Sequence, residues 1–128
     1  MRSKMRTLLI VFVGSGVGGA GRHFLNTWIT RLSGSDFPFG ILTINIVGSF
    51  AMGLVAGWWA FKSNAPQDLR LFLATGILGG FTTFSTFSLD AGVLIERGQH
   101  LSALGYALGS VVFSVLALMA AMALIRSL

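Results

Sequence analysis

Apolar residues occupy four long blocks of the chain, and short polar segments separate these blocks. Each block is longer than the roughly 20 residues that an α-helix needs to cross a bilayer. The short connections make consecutive helices antiparallel neighbours in one bundle. The pattern predicts an all-α integral membrane protein with a single membrane domain, residues 1–128. Its four transmembrane helices are expected at about residues 7–29, 38–61, 69–94 and 101–125.

The composition agrees with this pattern and excludes several classes of protein. Hydrophobic residues make up 54% of the chain and charged residues only 10%, whereas soluble domains have about 25% charged residues. The absence of cysteine excludes disulfides and thiolate metal sites. The net charge of +5 comes from basic residues at the block ends, where they contact anionic lipid headgroups. We therefore expect a lipid bilayer as a partner and no nucleic acid.

The basic residues are divided unequally between the two ends of the predicted bundle. With four spans, both termini and the second connection lie at one end. That end carries Arg2, Lys4, Arg6, Lys62, Arg70 and Arg126, and the other end carries Arg31 and Arg97. This bias favours a cytoplasmic N-terminus under the positive-inside rule.

The third block contains an unusual run of glycine, hydroxyl and phenylalanine residues, GGFTTFSTFS at residues 79–88. Paired glycines weaken a helix, and irregular backbone at membrane depth persists only when it is buried in protein or lines a watery path. If the run is helical, it separates an aromatic face from a hydroxyl face. If it is broken, half-helix ends hold ions at the midplane, and positive ring edges solvate an anion. The run predicts a buried ion site, and a plain packing motif is the alternative.

The second and fourth blocks also carry polar residues at membrane depth. Ser102, Tyr106, Ser110 and Ser114 recur at intervals of four and so form a stripe about 18 Å long on one helix face. This stripe either bonds back to its own helix or lines a pore as a polar track. Asn45, in the middle of the second block, either bonds a neighbouring helix or offers its amide N–H to an anion.

Arg22 and Asp90 are charged residues that lie well inside the predicted spans. Arg22 either anchors the first helix at the interface by snorkelling or faces a vestibule that attracts anions. Asp90 is the only carboxylate within a span, and the first span contains none. No acid pair, Ser-His-Asp set or phosphate-binding loop followed by lysine is present, so we do not expect an enzyme.

Pairs of glycines spaced four apart recur along the chain, among them Gly14/Gly18, Gly53/Gly57 and Gly105/Gly109. Small residues at this spacing allow membrane helices to approach closely. These pairs predict a tightly packed bundle, and they say nothing about its function.

Residues 79–88 resemble the signature of the CrcB/Fluc family of small bacterial fluoride channels. Phe81 departs from this signature, because a smaller aliphatic residue is usual at its position. The resemblance covers essentially the whole chain and rests also on Arg22, the TINIVG segment at residues 43–48, and Gly105-Tyr106 followed by Ser110 and Ser114.

The resemblance implies a third helix broken at its centre and an antiparallel, dual-topology homodimer in the bacterial inner membrane. Two pores along the dimer would export fluoride passively from the cytoplasm and limit its toxicity. It also implies a sodium ion at the dimer interface, held by the backbone carbonyls of Gly79 and Thr82. Arg22 would face a vestibule. The implied anion pore contains Phe84 and Phe87 as lining rings, with Asn45, Thr83, Tyr106, Ser110 and Ser114.

Two alternatives to a fluoride channel have the same length and span number. A small proton-coupled multidrug exporter needs a membrane-embedded carboxylate in its first span, and this chain has none there. A non-conducting scaffold built on the glycine pairs leaves the polar stripe and the hydroxyl-rich run unexplained. The charge bias leaves open whether the dimer partner is a second copy or a second, oppositely oriented protein.

Overall fold

The computed structural model describes residues 2–62 and 64–128, and it shows four helical segments long and apolar enough to cross a membrane. This confirms the prediction of an all-α protein with four membrane-spanning segments. The first two are α1 and α2, the third is built from several consecutive helical pieces, and the fourth is α6. The bounds are α1 Arg2–Ser33, α2 Phe39–Phe61, α3 Gln67–Arg70, a π-helix Leu71–Leu78, α4 Gly79–Phe81, α5 Phe84–Glu96 and α6 His100–Ser127.

Two of the connections have a glycine close after the end of the preceding helix. Gly34 follows α1 with φ 58°, and Gly98 follows α5 with φ 75°, a left-handed conformation that costs glycine little. The Gly34 N–H donates to the Thr30 carbonyl at 3.2 Å, and the Gly98 N–H donates to the Ile95 carbonyl at 2.9 Å. These turns close the carboxyl ends of two helices and reverse the chain, so that each next helix runs antiparallel to the last.

The α-helical backbone of the third segment is interrupted twice between Gln67 and Glu96. Eight residues form a π-helix, a form that is rare and often found at functional sites. After α4, Thr82 has φ −83° and ψ 156°, and Thr83 has φ −151° and ψ 124°. These two residues are extended, and the chain returns to helix at Phe84. The extended pair lies within the hydroxyl-rich run.

Glycine sets the spacing between α1 and the third segment. A Cβ placed on Gly14 would lie 2.8 Å from the Gly76 Cα, and one placed on Gly18 would collide with the Ile77 carbonyl oxygen. A Cβ on Gly80 would lie 2.5 Å from the Ser15 carbonyl oxygen. Backbone therefore packs directly against backbone along this contact.

The other two glycine pairs differ from each other. A Cβ on Gly53 would collide with the Leu118 carbonyl oxygen, so this pair packs α2 against α6 as expected. The expectation is wrong for the pair on α6 within this chain. Gly105 is exposed with no atom within 4 Å, and Gly109 has only the ring of Phe113, from its own helix, in range. The face of α6 that carries this pair points away from the bundle.

Burial is concentrated in a small core between α2, α5 and α6. The core comprises Ile41, Ile44, Leu94, Ala103 and Tyr106. Large apolar side chains are exposed along all four segments, for example Phe12, Trp58, Leu89 and Leu101. A soluble monomer does not expose apolar surface on this scale, whereas lipid tails cover it in a membrane. The chain is thus a multi-pass membrane protein.

We predict that Gly18→Ala destabilises the protein by about 1–3 kcal/mol, because the new methyl group forces two backbones apart. Gly16→Ala is the matched control, since Gly16 lies on the same helix and has no atom within 4 Å. Thermal unfolding of the purified protein in detergent measures both. Equal stability of the two variants would show that α1 does not pack against the π-helix in this way.

Candidate functional site

A cavity of about 360 Å³ lies between α2, the extended pair and α6. We call it the Asn45 cavity. Its volume is within the range typical of small-molecule sites. It brings together most of the residues that the sequence nominated for the anion pore. These are Asn45, Thr83, Phe84, Phe87, Ser110 and Ser114, and Thr82 lines the cavity as well.

Asn45 forms two hydrogen bonds with the backbone of Thr83. Its Nδ2 donates to the Thr83 carbonyl at 3.1 Å, and its Oδ1 accepts from the Thr83 N–H at 2.9 Å. Thr83 is only 8% exposed, so water does not satisfy these groups. Of the two roles open from the sequence, the structure shows the bond to a neighbouring segment. The amide has two N–H donors, and this bond uses one of them.

The side chain of Thr83 starts the next helix. Its Oγ1 accepts from the Thr86 N–H at 3.1 Å, the usual bond of a threonine at a helix N-cap. The same oxygen lies 3.3 Å from the Ser85 Oγ and donates to the Thr86 Oγ1 at 3.2 Å. These bonds explain why the hydroxyl-rich run is stable at membrane depth, because the hydroxyls satisfy one another and a free helix end.

Thr82 and Gly79 lie just before this helix. The N–H and Oγ1 of Thr82 both donate to the Leu78 carbonyl, at 3.1 and 2.9 Å. In a continuous α-helix the Thr83 N–H would donate to the Gly79 carbonyl, but here it donates to Asn45. The Gly79 carbonyl thus loses its helical donor, and the Thr82 carbonyl belongs to extended backbone. Hard carbonyl oxygens of this kind suit a sodium ion.

Ser110 and Ser114 supply hydroxyl groups to the Asn45 cavity from consecutive turns of α6. Both Oγ atoms are buried, and neither has a hydrogen-bond partner among the residues that the structure describes. Ser110 is only 5% exposed. A buried hydroxyl without a partner costs about 1–3 kcal/mol, so these groups are unfavourable unless a ligand or water bonds them. The alternative that these serines bond back to their own helix is not what the structure shows.

Tyr106 belongs to the same stripe, but it does not line the Asn45 cavity. It is fully buried, and its Oη donates to Asp90 Oδ2 at 3.2 Å. Its ring centroid lies 5.1 Å from that of Phe87. Asp90 lines a second cavity of about 270 Å³, near Asp36 and Arg97. Tyr106 therefore links a ring of the Asn45 cavity to the carboxylate of the second cavity.

The sequence left Asp90 without a role, although it is the only carboxylate within a span. The feature of the sequence that could have indicated a role for Asp90 is its spacing from Phe87. Asp90 lies three residues after Phe87, so both side chains leave α5 on one face, towards Tyr106. Only the packing of α5 against α6 shows that a tyrosine meets this face.

The two phenylalanines stand at the wall of the Asn45 cavity. Their ring centroids are 5.5 Å apart with the planes inclined by 48°. Phe87 packs against the core, whereas Phe84 is 77% exposed. The cavity is therefore open on the side where Phe84 lies, on the surface of the subunit.

Arg22 and Phe81 also lie outside the Asn45 cavity. Arg22 is half-buried on α1 and lines neither of the two cavities described above, so its vestibule role stays a prediction. Phe81, which departs from the family signature, packs against the core, with its ring over Gly48. A Cβ at Gly48 would lie 3.1 Å from the Phe81 ring. The bulky residue is thus accommodated by a glycine on the facing helix.

Comparison with known proteins identifies the family. The profile of the family described as "CrcB-like protein, Camphor Resistance (CrcB)" matches residues 9–122. The chain belongs to the CrcB family. This confirms the resemblance seen at residues 79–88, and the CrcB match covers nearly the whole chain.

Relatives of this CrcB protein align from end to end. A protein of Methylobacterium nodulans named fluoride-specific ion channel FluC is 56% identical over 122 residues, which cover 95% of this chain and 98% of the relative. A protein of the same name from Rhodopseudomonas palustris strain BisB5 is 52% identical, with the same coverage. The FluC protein of Agrobacterium fabrum is 47% identical over 97% of this chain and 99% of its own length.

We predict that Asn45→Ala destabilises this CrcB protein by about 2 kcal/mol or more, because it leaves two buried backbone groups of Thr83 without partners. Ser49→Ala is the control, since Ser49 lines the same cavity from the same helix. Denaturant unfolding followed by tryptophan fluorescence compares the variants. An Asn45→Ala protein as stable as the control would mean that the two bonds do not hold the extended pair.

Proposed function

We propose that this protein is a fluoride-selective channel that lets fluoride leave the cytoplasm passively through the bacterial inner membrane. We infer fluoride as the ion because the relatives are named fluoride-specific ion channels. The observation that carries the proposal is the pair of buried, unpartnered hydroxyls of Ser110 and Ser114, in one cavity with the rings of Phe84 and Phe87. Donors without protein partners are what an anion requires in place of water.

The chemistry of the Asn45 cavity suits a small, strongly hydrated anion. Serine hydroxyls and the remaining N–H of Asn45 donate hydrogen bonds, and the edges of phenylalanine rings carry positive partial charge. None of these groups is a cation, so they replace water around the ion without holding it in a deep electrostatic well. No arginine or lysine lines the cavity. This favours passage over tight binding.

Export through such a pore needs no pump. In an acidic medium outside the cell, fluoride is partly protonated. Neutral HF then crosses the membrane and dissociates in the less acidic cytoplasm. The anion is then driven outwards by the inside-negative potential, which is worth about 2.3 kcal/mol per charge at 100 mV. A selective passive pathway is therefore sufficient to limit accumulation.

We propose further that the pore is completed in an antiparallel homodimer with two pores. Phe84 lies mostly exposed at the open side of the Asn45 cavity, so one subunit leaves the site incomplete. The exposed Gly105 offers a second subunit a close approach on α6. The basic bias towards one end also allows a different partner, a homologous protein that inserts in the opposite orientation.

A structural sodium ion at the dimer interface is the remaining part of the proposal. Its ligands would be the carbonyls of Gly79 and Thr82, which the interruption of the helical ladder frees. Sodium supplies no chemistry to ion passage here. It would neutralise converging carbonyl dipoles and so stabilise the contact between subunits.

Fluoride efflux from liposomes containing the purified protein tests the function, with a potassium ionophore to balance charge. We expect rapid efflux of fluoride and not of chloride. Phe84→Ile and Phe87→Ile should each slow the flux about tenfold or more, a loss of about 1.4 kcal/mol, because an aliphatic group has no positive edge.

Phe12→Ile is the matched control for both variants, because Phe12 is an exposed ring on α1 that does not line the Asn45 cavity. It should conduct like the unmodified protein. Absence of fluoride efflux, or equal passage of chloride, would refute the channel. Unchanged flux in both cavity variants would refute the role of the rings alone.

The sodium proposal predicts that the dimer is weaker without this ion. Protein prepared in N-methylglucamine instead of sodium should dissociate at higher protein concentration, measured by size-exclusion chromatography across a dilution series. Adding back sodium should restore the dimer and potassium should not, because the carbonyl site is small. A dimer that is equally stable in all three buffers would contradict the proposal.

A further inference from the structure

The two ends of the bundle differ in their charge balance. At the end that carries the termini there are six basic side chains, and Asp68 is the only acidic side chain there among the residues that the structure describes. Its Oδ2 lies 3.4 Å from Nε of Arg6. At the other end, Arg31 and Arg97 are matched in number by Asp36 and Glu96. The excess positive charge of the surface therefore lies at one end.

Two arginines at this end are held against aromatic rings at the carboxyl end of α2. The Arg70 guanidinium carbon lies 5.5 Å from the centre of the Trp59 ring, and that of Arg126 lies 4.7 Å from the centre of the Phe61 ring. Such stacking orients the planar guanidinium and reduces the entropy that it loses on binding. Lys62 follows immediately at the end of α2, where the helix dipole favours cations.

The stacked arginines keep their donors available. In residues 2–62 and 64–128, neither Arg70 nor Arg126 forms a salt bridge, and neither donates a side-chain hydrogen bond to a protein oxygen. Both side chains are exposed. A guanidinium whose face rests on a ring still presents its N–H edge, which matches two phosphate oxygens at once.

Apolar residues next to these charges in the sequence are also exposed. Trp58, Leu69 and Leu124 neighbour the stacked pairs in the chain, and all three are about half exposed. An acyl chain covers such surface, whereas free phosphate offers nothing to it. The combination of oriented cations and flanking apolar side chains fits a phospholipid.

We propose that the end of α2 is a binding site for anionic phospholipids, in which Arg70 and Arg126 bind headgroup phosphates and Lys62 adds charge. The stacked rings position the arginines, and the adjacent apolar side chains contact the acyl chains. This site is independent of the Asn45 cavity and does not require that the protein conducts fluoride.

The test compares lipid binding at the two ends of the molecule. Purified protein is titrated with short-chain phosphatidylglycerol in a neutral detergent, and bound lipid is counted by native mass spectrometry. Removing a charge near an anionic surface costs about 1 kcal/mol, so Arg70→Gln and Arg126→Gln should each weaken binding about fivefold, and the double variant about thirtyfold. Arg31→Gln/Arg97→Gln is the matched control and should bind like the unmodified protein.

Two further arms identify the ligand and the role of the rings. Phosphatidylcholine and inorganic phosphate should bind at least tenfold more weakly than phosphatidylglycerol. Trp59→Leu/Phe61→Leu retains every charge and should weaken binding severalfold through loss of orientation. Equal losses in the two double-arginine variants, or no loss in either, would overturn the site. Competition by inorganic phosphate at similar concentration would assign the arginines to a soluble anion instead. A native mass spectrum in phosphatidylcholine that matches that of the unmodified protein shows that each variant is folded.

Discussion

Two hydrogen bonds between Asn45 and Thr83 stabilise the extended backbone at membrane depth. This extended backbone distinguishes the bundle from one made of four continuous helices. A backbone N–H and carbonyl left unpaired in hydrocarbon cost several kcal/mol each, so extended backbone there needs a partner that is not solvent. One asparagine side chain supplies both a donor and an acceptor to the same residue. Because Thr83 is held this way, its hydroxyl is placed to start α5, and the rings of Phe84 and Phe87 face the cavity.

This arrangement depends on how closely the helices approach. Gly48 faces Thr82, and any side chain at that position would collide with the Thr82 methyl group, so the second and third segments meet only because the residue is glycine. On the opposite side, Gly14 and Gly18 bring α1 against the π-helix and α4. The small residues therefore fix where the extended pair lies, and Asn45 then satisfies its backbone. Close packing against Gly48 thus fixes Thr82, and the hydrogen bonds from Asn45 fix Thr83.

The sequence was informative wherever one side chain decided the outcome by its own chemistry. Four apolar blocks predicted four spans, and the run at residues 79–88 predicted a buried polar site, because hydroxyls and glycines are unfavourable against lipid. It was less informative wherever the answer depended on the neighbouring segment. Asn45 had two possible roles until its partner was known, and the glycines of α6 resembled the other pairs although nothing in the subunit packs on them. Nothing in the residue types of Leu71–Leu78 predicted the π-helix.

The polar stripe on α6 shows why spacing alone cannot define a pathway. Its members share a helix face, yet the structure divides them at Tyr106. Ser110 and Ser114 face the Asn45 cavity without partners, whereas the Tyr106 hydroxyl is bonded to Asp90 beside the second cavity. Between these two environments stand the rings of Phe87 and Tyr106, with centroids 5.1 Å apart. An anion that moved from one cavity to the other would therefore leave hydroxyl donors, pass ring edges and meet a carboxylate, which repels it unless the tyrosine hydroxyl turns to the ion. If the protein conducts anions as proposed, the Tyr106–Asp90 bond must break before the tyrosine hydroxyl can donate to a passing ion.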